Sequence, residues 1–316
     1  MSVFQRLEIS DKAGSEIDFE ALIQKTFVDL KIKIDRPETL ISIGAHKYKD
    51  RLYPTSVMTA GEFSCIVAPS KTKKSFLKSA LCASYIGGKS NQHFSNIKGH
   101  RDRDWDILDI DTEQSGFYSQ KTFQRVAEMT GDEYPNHKPY KLRALSVQER
   151  LFLIEHLIYS NDNLKLVFID GIADLMMDVN DMEKANEIAN YLLKWTEERI
   201  IHICVIIHSA FGTKKATGNL GSALIKKAES VIMLDPTDGT KKVVKTIHQY
   251  SRGYAFDDFY FSIKDTDALP YQVDDHHHDF IDNGEVRTVK EKITITSLPT
   301  PAEAFDFPGD DLDVPF

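Results

Sequence analysis

Ala68-Pro69-Ser70-Lys71-Thr72-Lys73-Lys74-Ser75 stands between an apolar run, Glu62 to Val67, and a segment with helical spacing, Lys74 to Ile86. A polar turn from a buried strand into a helix is the setting in which a chain binds phosphate. Backbone N–H groups converge at the helix N-terminus, and the helix dipole favours an anion there. Lys74 is placed to reach the β- and γ-phosphates of a nucleotide, and Ser75 to offer its hydroxyl to Mg²⁺. The pattern for such loops has glycine at both ends. Here Ala68 replaces the first and Lys73 the second, and Lys73 is the larger departure because glycine supplies permissive dihedrals and close approach. Taken alone, the segment reads equally well as a basic strand-to-helix turn without a ligand.

Three further apolar runs end in polar groups: Asp111-Thr112-Glu113-Gln114, Asp170-Gly171 and His208-Ser209. In open α/β sheets ligands bind at the carboxyl ends of the strands. Asp170, after Leu166-Val167-Phe168-Ile169, would hold Mg²⁺. Glu113 would polarise an attacking water, and His208 would sense a γ-phosphate. Singly, Asp170 reads as well as a solvated strand end or helix cap, and His208 as a satisfied histidine at the core edge. Placed on one edge beside a phosphate loop, the set favours nucleotide chemistry.

These residues need a sheet to carry them. Strands are expected at Leu40 to Ile43, Glu62 to Val67, Trp105 to Ile110, Leu166 to Ile169, Ile203 to Ile207 and Val231 to Leu234. Helices are expected at Phe19 to Leu30, Lys74 to Ile86, Ser115 to Met129, Ser146 to Ser160, Met182 to Arg199 and Ser222 to Ala228. Alternating strands and helices, with strands apolar on both faces, imply an α/β fold with a mostly parallel sheet covered on both sides. Lys241 to Gln249 and Phe259 to Ile263 add antiparallel edge strands. The expected organisation is an extension over 1–39, a nucleotide-binding domain over 40–265, and a poorly ordered segment with an acidic tail over 266–316. No internal repeat is present.

The net charge of -9 argues against a surface that grips nucleic acid all over, though it permits a local basic loop. Five carboxylates, Glu303, Asp306, Asp310, Asp311 and Asp313, crowd the last sixteen residues. Cys65, Cys82 and Cys204 lie in apolar runs without zinc spacing and read as reduced buried thiols. With no apolar signal core or spanning run, the expected compartment is the cytoplasm.

The order of phosphate loop, strand-end Glu113, strand-end Asp170 and strand-end His208 resembles the RecA-like P-loop ATPases. The segments IVAPSKTKKSFL, LDIDTEQSGFYSQ, LVFIDGIADL and VIIHSAFGTKKATGNLGSALIKKAESVIML are similar to the RepA-type branch, ring-forming replicative helicases of plasmids, phages and mobile elements. The resemblance spans roughly 40–265. It implies an ATP- and Mg²⁺-dependent ATPase acting on single-stranded DNA as a homo-oligomer, in some relatives a hexameric ring. The alternatives are a recombinase or repair mediator that does not translocate, and a nucleotide-gated scaffold with weak hydrolysis.

The resemblance further implies that Phe211 to Leu220 faces DNA in a central pore. Lys214 and Lys215 could meet phosphates there, although the composition also suits a solvated loop. It places Arg252 as a finger acting on a neighbour's γ-phosphate, against the reading of a hairpin-turn arginine. The end of the chain, FDFPGDDLDVPF, resembles the acidic tip of bacterial single-stranded-DNA-binding proteins. Asp310, Asp311, Asp313, Pro315 and Phe316 would dock on replication or repair proteins, or would form a solubilising tail. His276-His277-His278 reads as a solvated turn rather than a metal site.

Overall fold

The computed structural model describes residues 18–210, 213, 215–237 and 242–273. The chain divides into two compact units, Met1–Arg36 and Pro37–Phe316. In the first, α1 spans Phe19–Thr26, with the Asp18 carboxylate accepting from the amide of Ala21 as its N-terminal cap. It stops short of Leu30 because Phe27 is extended.

The second unit runs β1 (Thr39–Tyr48), β2 (Arg51–Thr59), β3 (Phe63–Ala68), α2 (Lys74–Ile86), β4 (Ile97–Gly99), β5 (Asp106–Asp111), α3 (Gly116–Thr130), β6 (His137–Lys141), α4 (Val147–Tyr159), β7 (Leu164–Asp170), α5 (Met182–Arg199), β8 (His202–His208), α6 (Gly218–Lys227), β9 (Ser230–Pro236), β10 (Val244–Ser251), β11 (Phe259–Ile263) and β12 (Pro270–Val273). Nine of these strands form one sheet in the order β12-β11-β10-β9-β3-β8-β7-β5-β6. From β9 to β6 all neighbours are parallel, and β10 to β12 are antiparallel. This is the RecA-like α/β architecture.

Alternation along the strands builds two cores. Ile66, Ala68, Phe168, Cys204, Ile206 and Ile232 pack with α2, α3 and the strands β1 and β2. Their neighbours Cys65, Val67, Val167, Ile169, Val205 and Val231 pack with α4, α5 and α6 on the other face. Every residue of β3 and β7 is buried, as strands covered on both faces require.

A separate antiparallel sheet, β2-β1-β4, covers α2. Its approach is so close that a Cβ on Gly99 would lie 2.2 Å from the Ser84 carbonyl oxygen. The sequence pattern marks only Leu40 to Ile43 of this sheet. The rest alternates too weakly to signal strands, and β4 is only three residues long. The short edge strands β6 and β12 also carry no apolar periodicity. Order continues past Asp265, because β12 pairs with β11 and Gln272 ties it to the turn before β4. Cys65, Cys82 and Cys204 are free and buried. No described helix is long and apolar enough to cross a membrane.

Candidate functional site

Register brings the strand ends level. Ala68 at the end of β3 lies opposite His208 at the end of β8, and Asp111 of β5 lies opposite Asp170 of β7. The phosphate loop, the β5 turn, Asp170 and His208 therefore share one edge.

The loop's shape comes from two lysines. Lys71 (φ +62) and Lys73 (φ +59) both adopt left-handed backbone. Lys73 is the residue that enters α2, with no side-chain cap on that helix end. The first-turn N–H groups of α2 are thus left to an incoming anion. A lysine in this conformation costs about 1–2 kcal/mol relative to an ordinary backbone. Glycine would relieve that cost while adding chain entropy worth about 0.5–1 kcal/mol. Lys73→Gly is accordingly expected to raise stability by about 0.5–1 kcal/mol, read as a higher urea midpoint at unchanged slope. A lower midpoint would mean that the hydrogen bond from Lys73 Nζ to the Lys242 carbonyl outweighs the strain.

Behind the loop, Lys74 is buried and its Nζ sits 2.8 Å from His208 Nδ1 and 3.3 Å from Nε2. Ser70 Oγ lies 3.2 Å from the same Nδ1. His208 Nε2 stands 3.4 Å from Glu113 Oε1. An ammonium can only donate, so Nδ1 accepts and the ring proton belongs on Nε2, facing Glu113. The hydrogen bond from His208 holds the Glu113 carboxyl below its ordinary pKa, with burial opposing and Lys74 assisting. Burial lowers the Lys74 pKa, against the pull of Glu113 and Asp170. Ser75 Oγ donates to Asp170 Oδ2 at 2.6 Å. Burial pushes the Asp170 carboxyl up, with Lys78 and Ser75 opposing.

The turn that carries Glu113 is fixed from below. Buried Asp111 accepts from the amides of Glu113 and Gln114, each at 2.9 Å, and from Ser119 Oγ at 2.8 Å. Thr112 Oγ1 lies within 3.0 Å of the carbonyls of Asp170 and Gly171 and of Asp174 Oδ2, joining the ends of β5 and β7. Gly171 follows at φ +99, where a Cβ would come within 2.2 Å of Thr112 Oγ1.

One turn beyond Lys74, Lys78 pairs with Asp109 of β5 at 2.5 Å, both fully buried. His137 Nε2 stands 3.2 Å from the other Asp109 oxygen. Burial pulls the Lys78 pKa down, but Asp109 outweighs it and the ammonium ends above its ordinary value. Burial likewise raises Asp109, and Lys78 and His137 together bring it below its ordinary value. Sequence reasoning assigned no role to Asp111, Thr112, Lys78 or Asp109. Their signal was a charged or polar residue inside or closing an apolar run, as in FLKSALCASYI and DILDID.

Nucleotide and Mg²⁺ fit the atoms present. Thr72 Oγ1 is buried with no hydrogen-bond partner among the described residues. Lys74 supplies a desolvated cation, and Ser75 with Asp170 forms the hard-oxygen pair that Mg²⁺ takes.

Arg252 is not on this edge. It follows β10, whose end pairs with the start of β9, so it lies at the opposite edge of the sheet. Its Nη1 pairs with Glu62 Oε1 at 2.7 Å, and its Nη2 donates to the Lys227 carbonyl. Lys215 is exposed. Lys214, His276 to His278, Asp310, Asp311, Asp313, Pro315 and Phe316 lie outside the described residues.

A nine-stranded sheet with these groups on one edge defines a RecA-like P-loop ATPase. The chain belongs to the AAA domain family, which matches residues 43–213, more than half of its length. Among solved structures it is similar to the ATPase domain of a helicase, at 12% identity and a TM-score of 0.47, covering 67% of this chain and 85% of that one. It is also similar to the RadB recombinase, at 16% identity and 0.47, covering 69% and 94%. No curated protein matches it by sequence.

Proposed function

We propose that the protein is an ATP-driven motor on single-stranded DNA, working as a homo-oligomer in replication or recombination. The observation that carries this reading is the link from His208 to the following loop. The His208 carbonyl accepts from both the amide and the hydroxyl of Thr217, at 3.0 and 2.9 Å. Ser209 bridges Ala216, and the Ala210 amide bonds the Lys215 carbonyl at 2.7 Å. The segment that would meet DNA through Lys214 and Lys215 is thus closed at its base on the residue that touches Lys74.

In this reading the loop amides, Thr72 and Lys74 hold the ATP phosphates. Ser75 and Asp170 hold Mg²⁺, which when bound offsets charge on the β- and γ-oxygens. Glu113, held ionised by His208, orients the attacking water and accepts its hydrogen bond. When Lys74 turns to phosphate, His208 loses its partner at Nδ1, and the change reaches the loop through Thr217. Arg252 cannot serve its own chain's site from the opposite edge, so it acts on a neighbour's γ-phosphate after leaving Glu62. The acidic tail, through Phe316, recruits replication or repair proteins.

The test is ATP turnover with and without single-stranded DNA, followed by strand displacement on a forked duplex. Stimulation together with displacement supports a motor. Stimulation without displacement favours a recombinase or mediator. Arg252→Ala and Glu113→Gln are each expected to lack turnover, while a mixture of the two regains part of it. Unchanged turnover in Arg252→Ala removes the finger. One observation favours a scaffold with weak hydrolysis instead, namely the glycine-free loop held left-handed at Lys71 and Lys73. Tight ATP binding without DNA-stimulated turnover would establish that reading.

A further inference from the structure

The antiparallel sheet over α2 ends in a hairpin that the nucleotide site does not use. β1 and β2 pair His46 with Tyr53 and Tyr48 with Arg51, and a two-residue turn at Lys49 and Asp50 closes them. Lys49 takes φ +46 there. Because strand residues alternate between faces, His46, Tyr48, Arg51 and Tyr53 all stand on one face.

The rings form a connected platform. His46 is stacked on Tyr254 at 3.9 Å between centroids and 13° between planes. His46 and Tyr53 lie 6.1 Å apart at 28°, and Tyr48 meets Tyr53 edge-on at 6.4 Å. Lys49 Nζ sits 5.5 Å from the centre of the Tyr48 ring. All four rings are only half-buried, while Lys47, Lys49 and Arg51 are exposed. One carboxylate, Asp50, accompanies these three cations, and its contact with Lys47 at 3.4 Å is between solvent-exposed groups.

A hairpin tip that needed only to stay soluble would not expose three tyrosines and a histidine together. An acidic chain with net charge -9 has also concentrated cations around them. Aromatic rings interleaved with Lys and Arg match single-stranded nucleic acid, whose unstacked bases offer π-faces and whose backbone offers phosphates. Duplex DNA hides its base faces and would use only the cations.

We propose that the β1–β2 hairpin with Tyr254 is a second single-stranded DNA contact, separate from the loop after His208. Bases stack on Tyr48, Tyr53 and the His46–Tyr254 pair, and Lys47, Lys49 and Arg51 meet phosphates. This rests on the motor reading above.

The experiment measures binding of fluorescein-labelled oligothymidylate, oligouridylate and a DNA duplex to the full chain by anisotropy, across a salt series. Tyr48→Ala/Tyr53→Ala is expected to weaken oligothymidylate binding about tenfold with little change in salt slope. Tyr48→Phe/Tyr53→Phe should keep the affinity, which separates lost stacking from a misfolded hairpin. Lys47→Ala/Lys49→Ala/Arg51→Ala should reduce the salt slope by about 2, from roughly 0.7 per phosphate contact. Photo-crosslinking of iodouracil-substituted DNA should map to Tyr48, Tyr53 or Tyr254. If every hairpin variant binds as the parent does while Lys215→Ala loses affinity, the hairpin site is wrong and the motor reading stands. If the parent chain binds no single-stranded DNA, both fall. If the hairpin variants lose only duplex or oligouridylate binding, the assignment to single-stranded DNA is overturned.

Discussion

Glu113→Gln is expected to bind ATP and Mg²⁺ about as tightly as the parent and to hydrolyse about 10²–10⁴-fold more slowly, the range a positioned general base contributes. The geometry makes this substitution clean. Glutamine keeps an oxygen that accepts from His208 Nε2, 3.4 Å away, so the contact from Lys74 through His208 persists. What disappears is the charge that orients water. Lys74→Ala should behave differently. It removes the desolvated cation of the phosphate loop, so binding and turnover fall together. Equilibrium ATP binding and single-turnover hydrolysis, measured on both variants, separate the two roles. If Glu113→Gln loses affinity while bound ATP turns over at the parent rate, Glu113 is structural and the catalytic assignment is wrong.

Lys78→Met is expected to destabilise the protein by about 3–5 kcal/mol, because it strands the Asp109 carboxylate in a site closed to water. Methionine fills nearly the same volume, so the loss reports charge rather than packing. Lys78→Met/Asp109→Leu should recover most of it, since removing both charges together removes the desolvation cost as well. Chemical unfolding of the two single variants and the double variant gives the coupling. Additive losses would show that the pair is not coupled, with His137 sufficient to compensate Asp109. The pair matters to the site because it fastens α2, four residues after Lys74, to β5, two residues before Asp111. A loosened α2 would move the phosphate loop relative to Glu113.

The parallel core of the sheet was legible because strands buried on both faces must be apolar throughout, as LKLVFID is. α2 and α5 were legible to the residue. Gly87 closes the former, and Asp181 caps the latter by accepting from Lys184. The strand-end residues were legible as a set, because a sheet edge is where apolar runs must stop. The β1–β2–β4 sheet was not, since a sheet lying on a helix rather than inside the main sheet alternates weakly. The Lys78–Asp109 pair was hidden for another reason. Its members are 31 residues apart, and each alone resembles an ordinary surface charge. Arg252 could be located in the sequence, but its distance from its own phosphate loop follows only from the antiparallel course of β10.

A phosphate loop whose left-handed positions are lysines has its curvature set during folding. Glycine there would leave many backbone states open, and a nucleotide would have to select one of them, with a loss of conformational entropy on each capture. Lys71 and Lys73 have already given up that freedom, and the strain they carry is borne by the folded protein rather than by the encounter with ligand. The loop therefore behaves as a rigid mould. It discriminates by fit, because an anion that does not match its curvature meets a backbone with little latitude to re-form around it.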